Sequence, residues 1–315
     1  MRTKARPEWV NMPKSKTYSA KVKGRLALSL MCAIWGSTFV LNKSALTYVG
    51  VFAFLSLRFS LAALILLVGV ARYKRERFRL VLKTKRVYLV GFVLFLGYCL
   101  QTLGLRLISP SNSGFITGLS VAIVPIAAMS IGSRVRPLHV LAVLVGIVGL
   151  YFLSAPLSTS NIVGELLTLA CSVAFALQIV YTESLDPTLD PISVVAIEVA
   201  IVAFLSFAIT LSPFDTKPLS TSFDVSHLLN PTVLSAVVIG GALATALALV
   251  TQTYFQRYLS STEVAIIYNL EPLFAAVFAV LVDHLPLSMF EVIGGVFVLS
   301  AMTLSALVKQ EYAGT

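Results

Sequence analysis

The sequence predicts an all-α integral membrane protein of ten transmembrane helices in two inverted five-helix repeats. Three observations lead there. Of 315 residues, 57% are hydrophobic and only 12% charged, with a mean hydropathy of +0.90. Soluble domains carry about 25% charged residues, so this chain has too little charge to cover a water-facing surface of its size. Its apolar residues also gather into ten runs of bilayer length, and landmarks in the first five recur in order in the second five. The composition excludes a disordered, a collagen-like or a disulfide-rich secreted chain, and argues against a soluble enzyme.

A hydrocarbon core of about 30 Å takes about 20 apolar residues per helix. The runs that meet this length are 26–46, 50–71, 87–107, 111–131, 137–155, 162–182, 190–212, 231–252, 260–282 and 288–308. The first follows a basic lead without a small-residue cleavage site, so it reads as a retained helix and not as a removed signal peptide. The second and third are separated by the basic loop 72–86, the seventh and eighth by the polar stretch 213–230. Pro137, Pro191 and Pro231 open helices, where the missing proline N–H costs nothing. The chain divides into a basic tail 1–25, a first repeat 26–155, a second repeat 160–308 and a tail 309–315. Residues 1–23 read as a disordered segment near anionic headgroups.

The net charge of +10 and pI near 9.6 raise the question of nucleic acid, but the distribution answers it. Eight of the 24 Lys and Arg lie in 2–25 and eight more in 72–86, each stretch beside an apolar run. With the N-terminus inside, Arg134, Arg136, Arg257 and Lys309 join them, leaving Lys43, Arg106 and Lys217 outside and Arg58 within a span. This bias places both termini in the cytoplasm of a multi-pass cell-membrane protein, in the inner membrane if bacterial. The partners are the lipid bilayer and a small-molecule solute, with no nucleic acid; proton coupling and a homodimer are compatible with this reading.

The repeat is visible in the residues. Gln101-Thr102 to Arg106 to Ser109 matches Gln252-Thr253 to Arg257 to Ser260. Pro125 pairs with Pro272, Gly146 with Gly294, and Gly24 with Gly164, the last pair near the start of the first run of each half. An odd number of spans per half inserts the second half upside down, an arrangement used by transporters with a midplane substrate site.

The residues carrying these landmarks resemble a known family. Trp35-Gly36-Ser37-Thr38-Phe39, Leu57-Arg58-Phe59, Phe115-Ile116-Thr117-Gly118-Leu119 through Pro125, and Leu270-Glu271-Pro272-Leu273-Phe274-Ala275 are together similar to the EamA-type members of the drug/metabolite transporter superfamily, over about 26–308. The resemblance implies a secondary transporter, commonly an exporter of amino acids, related metabolites or toxic compounds, with a central cavity lined mainly by helices 1, 3, 4, 6, 8 and 9.

Polar groups inside a membrane are costly and mark candidate sites. On the implied cavity helices these are Gln101, Thr117, Gln178, Tyr181, Gln252, Tyr268, Asn269 and Glu271, with Trp35 and Phe175 at equivalent positions of the two repeats as facing aromatic walls. Each has a packing role as its alternative, the glutamines as interhelical glue. Glu271 is the strongest candidate, as a proton-exchanging or amine-binding carboxyl. Pro125 and Pro272 are candidate hinges. Arg58 and Glu198 occupy equivalent positions with opposite charge, leaving open separate anchoring, a structural ion pair or a substrate role. Cys32, Cys99 and Cys171 are scattered in apolar runs, and His139, His227 and His284 lie near helix ends without metal-ligand spacing, so neither a metal nor a cofactor is expected. The chain lacks P-loop, G-x-G-x-x-G, H-E-x-x-H and G-x-S-x-G elements, which leaves nucleotide drive and the common hydrolase chemistries unsupported. The reading is a non-enzymatic secondary exporter of small organic metabolites; the alternatives are a multi-span membrane enzyme and a passive channel or scaffold.

Overall fold

The computed structural model describes residues 14–73, 75–153, 161–186, 188–256, 258–259, 264, 267–282, 284, 286–307 and 311–312. The tail 1–13, the linker 154–160, Arg257, Ser260 and Lys309 lie outside the described residues. Among the described residues ten apolar helices follow one another: α1 Lys14–Ala45, α2 Val51–Tyr73, α3 Lys85–Leu107, α4 Pro110–Ile131, α5 Pro137–Leu153, α6 Ile162–Glu183, α7 Pro191–Thr210, α8 Pro231–Phe255, α9 Leu270–Val282 and α10 Met289–Leu307. Seven are long and apolar enough to cross a membrane, and α5, α9 and α10 are shorter apolar helices. Large apolar side chains such as Leu64, Phe204, Leu281 and Val296 are exposed, as lipid-facing surface must be and a soluble surface is not.

Helix starts follow from the capping chemistry of the sequence. Ser109, Asp190 and Asn230 each accept a backbone N–H from the first turn of α4, α7 or α8, with a proline next in sequence. Asn161 caps α6 through the Gly164 N–H. These side chains satisfy donors that a helix start leaves without a partner. Between α2 and α3, a short basic helix, Arg75–Leu82, packs Phe78 and Val81 onto Val87, Leu189 and Val194. In the turn between α6 and α7, the N–H and hydroxyl of Thr188 bond Asp186 and hold its carboxyl below the usual carboxylate range. A two-residue antiparallel bridge, Ser133-Arg134 with Glu311-Tyr312, joins the ends of α4 and α10.

One expectation is corrected at the N-terminus. Residues 14–23 are helical and continuous with α1, not a disordered tail. The stretch carries four lysines, which are good helix formers, and the apolar helix below it supplies the nucleus that an isolated segment would lack.

The packing repeats after five helices. Helix α2 packs on α7, α5 on α10, and α4 on α9; α3 with α6 is matched by α8 with α1, and α1 with α9 by α6 with α4. Exchanging each helix with the one five places along leaves this set unchanged. Close crossings use glycines that face each other. A Cβ on Gly149 would stand 3.0 Å from the carbonyl oxygen of Gly294, and one on Gly294 2.8 Å from that of Gly149. Gly104 and Gly164 meet likewise, at 2.8 and 3.2 Å.

The 213–230 stretch contains two one-turn helices, Leu219–Ser222 and Val225–Leu228, and reaches back to the start of α2. There Asp215 accepts the N–H groups of Phe52 and Ala53 at 3.1 and 3.0 Å. Thr216 accepts that of Val51 at 2.9 Å and Ser222 that of Gly50 at 3.0 Å. Lys217 donates to the Thr47 carbonyl. A carboxylate at the positive end of α2 is also favoured by the helix dipole. Asp215→Ala is therefore expected to cost about 1 kcal/mol and lower Tm by a few degrees in detergent, with flux in liposomes preserved; an unchanged Tm would remove the cap.

Candidate solute-binding cavity

A cavity of about 80 Å³ lies between the two repeats, lined from seven helices. On this measure one water needs roughly 10–15 Å³, so the space suits a small solute. Helix α1 supplies Trp35, Thr38 and Phe39; α2 supplies Arg58; α3 supplies Leu94, Tyr98 and Gln101. Thr117 and Ser120 come from α4, Phe175, Gln178 and Ile179 from α6, Leu249 and Gln252 from α8, Tyr268 from just before α9, and Glu271 from its first turn.

The aromatic walls form as two edge-to-face pairs. Trp35 meets Tyr268 at 5.7 Å between ring centroids, and Phe175 meets Tyr98 at 5.2 Å. Gly97 makes room for the second pair, since a Cβ there would lie 2.5 Å from the Phe175 ring. Gln101 donates to the Thr117 hydroxyl at 3.3 Å and Gln178 to that of Thr182 at 3.1 Å, so these amides join packing to cavity lining.

Helix α8 departs from α geometry between Ile239 and Leu247, where it is a π-helix. The Ala248 N–H bonds the Leu243 and Thr245 carbonyls, and the Ala244 carbonyl instead accepts the Trp35 indole N–H at 2.8 Å. The Thr245 hydroxyl accepts Arg58 Nε at 3.0 Å. Gly240 leaves the room for Arg58, since a Cβ there would stand 3.1 Å from its Cδ and Nε. The Arg58 guanidinium carbon lies 5.4 Å from the Phe59 ring centre and 5.1 Å from that of Tyr98. Sequence reading missed the π segment; π-turns are frequent at functional sites.

Helix α4 is broken beside the cavity. It is α-helical over Pro110–Gly118 and again over Ser120–Ala127. At the break the Ile116 carbonyl accepts the Ser172 hydroxyl of α6. Pro125 deprives Val121 of its helical N–H partner, and Ser305 of α10 donates instead to the Val121 and Ala122 carbonyls at 3.4 and 3.5 Å. The discontinuity thus falls six residues before Pro125. Pro272 follows a turn at Asn269 that separates helical Ile267 and Tyr268 from α9, which starts at Leu270; its missing N–H would otherwise bond the Tyr268 carbonyl. The Pro272 ring reaches the α4 break, 3.2 Å from where a Gly118 Cβ would be.

Trp35, Gln101, Thr117, Phe175, Gln178, Gln252, Tyr268 and Glu271 converge as expected residues of the cavity wall. Tyr181 does not line the cavity, and Asn269 donates to Thr303 of α10 at 3.0 Å. Arg58 and Glu198 form no ion pair with each other. Arg58 turns to Thr245 and the cavity, whereas Glu198 is buried in α7 beneath Gly91 of α3, its Oε1 without a hydrogen-bond partner among the described residues. Sequence reading overlooked Thr38, Tyr98 and Ser120, although Thr38 and Tyr98 each lie one turn from a predicted residue, Trp35 or Gln101, and share its face.

The EamA-like transporter family matches this chain twice, over residues 22–155 and 162–307. The chain belongs to that family. A protein of Archaeoglobus fulgidus named as an uncharacterized transporter is 32% identical over 289 residues, covering 90% of this chain and 85% of that one. A solved crystal structure has the same fold, with a TM-score of 0.63 at 20% identity, over 91% of this chain and 96% of the other. As an EamA-like member of the drug/metabolite transporter superfamily, the protein is a multi-pass membrane transporter.

Proposed function

We propose that this EamA-like transporter is a secondary exporter of small organic metabolites, amino acids and related amines among them, acting by alternating access. The observation that carries the reading is Glu271. Its carboxylate lines the cavity and has no hydrogen-bond partner among the described residues, so it is free to take an ammonium group or a proton. Aromatic faces and amide groups around it suit the apolar body and polar ends of such a solute. The repeats, 26–155 and 160–308, insert in opposite orientation and rock around the cavity. The α4 break packed on Pro272 gives that motion a place to bend. The basic end of the bundle faces the cytoplasm with both termini, as the lysine and arginine bias supports.

Proteoliposomes preloaded with unlabelled amino acids are expected to accumulate labelled substrate transiently by counterflow. A flux linear in concentration without counterflow would favour the channel reading instead. The orientation has its own check in a cysteine-free background. Cysteines introduced at positions 78 and 186 are expected to react from the cytoplasmic side and one at 48 from outside; opposite sidedness of 78 and 186 would contradict the topology.

A further inference from the structure

We infer that Arg58 is the anion anchor of the cavity, so that the transported solute carries a carboxylate as well as an amine. The inference deepens the transport reading above and rests on it. Arg58 is 2% exposed and lines the cavity two turns into α2. A guanidinium has five N–H donors. Here Nε bonds Thr245, and among the described residues the four N–H groups on its Nη atoms have no hydrogen-bond or ion-pair partner. Phe59 and Tyr98 hold the group by their ring faces but bring no compensating charge.

A buried cation without a counterion is unfavourable unless something else supplies the anion. Among the described residues that line the cavity the single carboxylate is Glu271; it comes from the other repeat and does not pair with Arg58. The wall therefore offers one cationic fork and one carboxylate, both unsatisfied. A planar carboxylate fits the two free arms of a guanidinium bidentately, and an ammonium on the same solute fits Glu271. A doubly charged phosphate would bring its second negative charge toward Glu271 and is disfavoured. The geometry favours a small zwitterion whose apolar side chain rests against Trp35, Phe175 and Tyr268.

The test uses pairs of probes that differ by the carboxylate alone: L-leucine against isoamylamine, and L-phenylalanine against phenethylamine. Binding to the full-length protein in detergent and counterflow in liposomes are measured for each. The wild type is expected to prefer the zwitterion of each pair roughly ten- to hundredfold. Arg58→Gln, which can still bond Thr245, is expected to erase that preference while leaving amine binding within about twofold. Arg58→Lys retains the charge without the fork and is expected to restore part of it, and it carries the test if Arg58→Gln does not fold. Equal affinity for both members of each pair in the wild type would overturn the inference, as would a loss in Arg58→Gln that strikes zwitterion and amine alike. Amines exchanging without any preference for the zwitterion would leave the transport reading standing and sink the anchor; exchange of neither class would sink the transport reading itself.

Discussion

Glu271→Gln is expected to abolish the proton dependence of transport and to weaken amine-bearing solutes by about 1.5–3 kcal/mol, the range for a hydrogen bond to a charged group. The substitution keeps the shape of the side chain and removes the charge and the exchangeable carboxyl proton. Because Glu271 has no hydrogen-bond partner among the described residues and faces the cavity, nothing in the protein loses a bond when its charge goes. The fold and Tm should therefore be retained, and counterflow of neutral solutes should survive. Flux of amines and neutral analogues across a pH series separates the outcomes. A Glu271→Gln protein with the wild-type pH profile would reduce this residue to packing.

The second large effect lies in the helix crossings. Gly104→Val is expected to destabilise the protein by more than about 3 kcal/mol, beyond the usual range for overpacking. A Cβ at Gly104 would stand 2.2 Å from the Thr168 hydroxyl oxygen and 2.8 Å from the Gly164 carbonyl oxygen. The Thr168 hydroxyl is itself bonded to the Gly164 carbonyl at 2.8 Å, so backbone stands behind the clash. The whole α3–α6 contact would have to part. Gly69 in α2 is the control, since a Cβ there meets nothing within 4 Å. Gly69→Ala should be neutral or stabilising by up to about 1 kcal/mol, the difference in helix propensity. Size-exclusion profiles after heating read both variants, and equal behaviour of the two would refute the close crossing.

The ten helices were legible in the sequence because bilayer length and low charge leave little choice of secondary structure. Much of the cavity was legible too. Gln101 with Gln252, and Trp35 with Phe175, are equivalent pairs, and a repeat brings equivalent positions to one axis. What stayed hidden depends on contacts far apart in sequence. The π segment of α8 is bound up with Trp35 and Arg58, more than 180 residues away. The cap of α2 comes from Asp215, 162 and 163 residues from its donors. Pro272 read as an interior break, and the turn at Asn269, between helical Tyr268 and Leu270, falls three residues before it. Arg58 and Glu198 looked like partners because their positions are equivalent. Packing separates them, since each faces a different part of α3, and only Arg58 reaches the cavity.

On the proposed mechanism, solute crosses through the cavity between the repeats. Ser120 lines it from just past the α4 break and is close in size to cysteine. In a protein with Cys32, Cys99 and Cys171 replaced, Ser120→Cys should support counterflow until it is alkylated. Quantitative alkylation should then stop exchange, and transported solute should slow the labelling. Full exchange through a protein whose Ser120→Cys site is completely alkylated would place the solute path elsewhere.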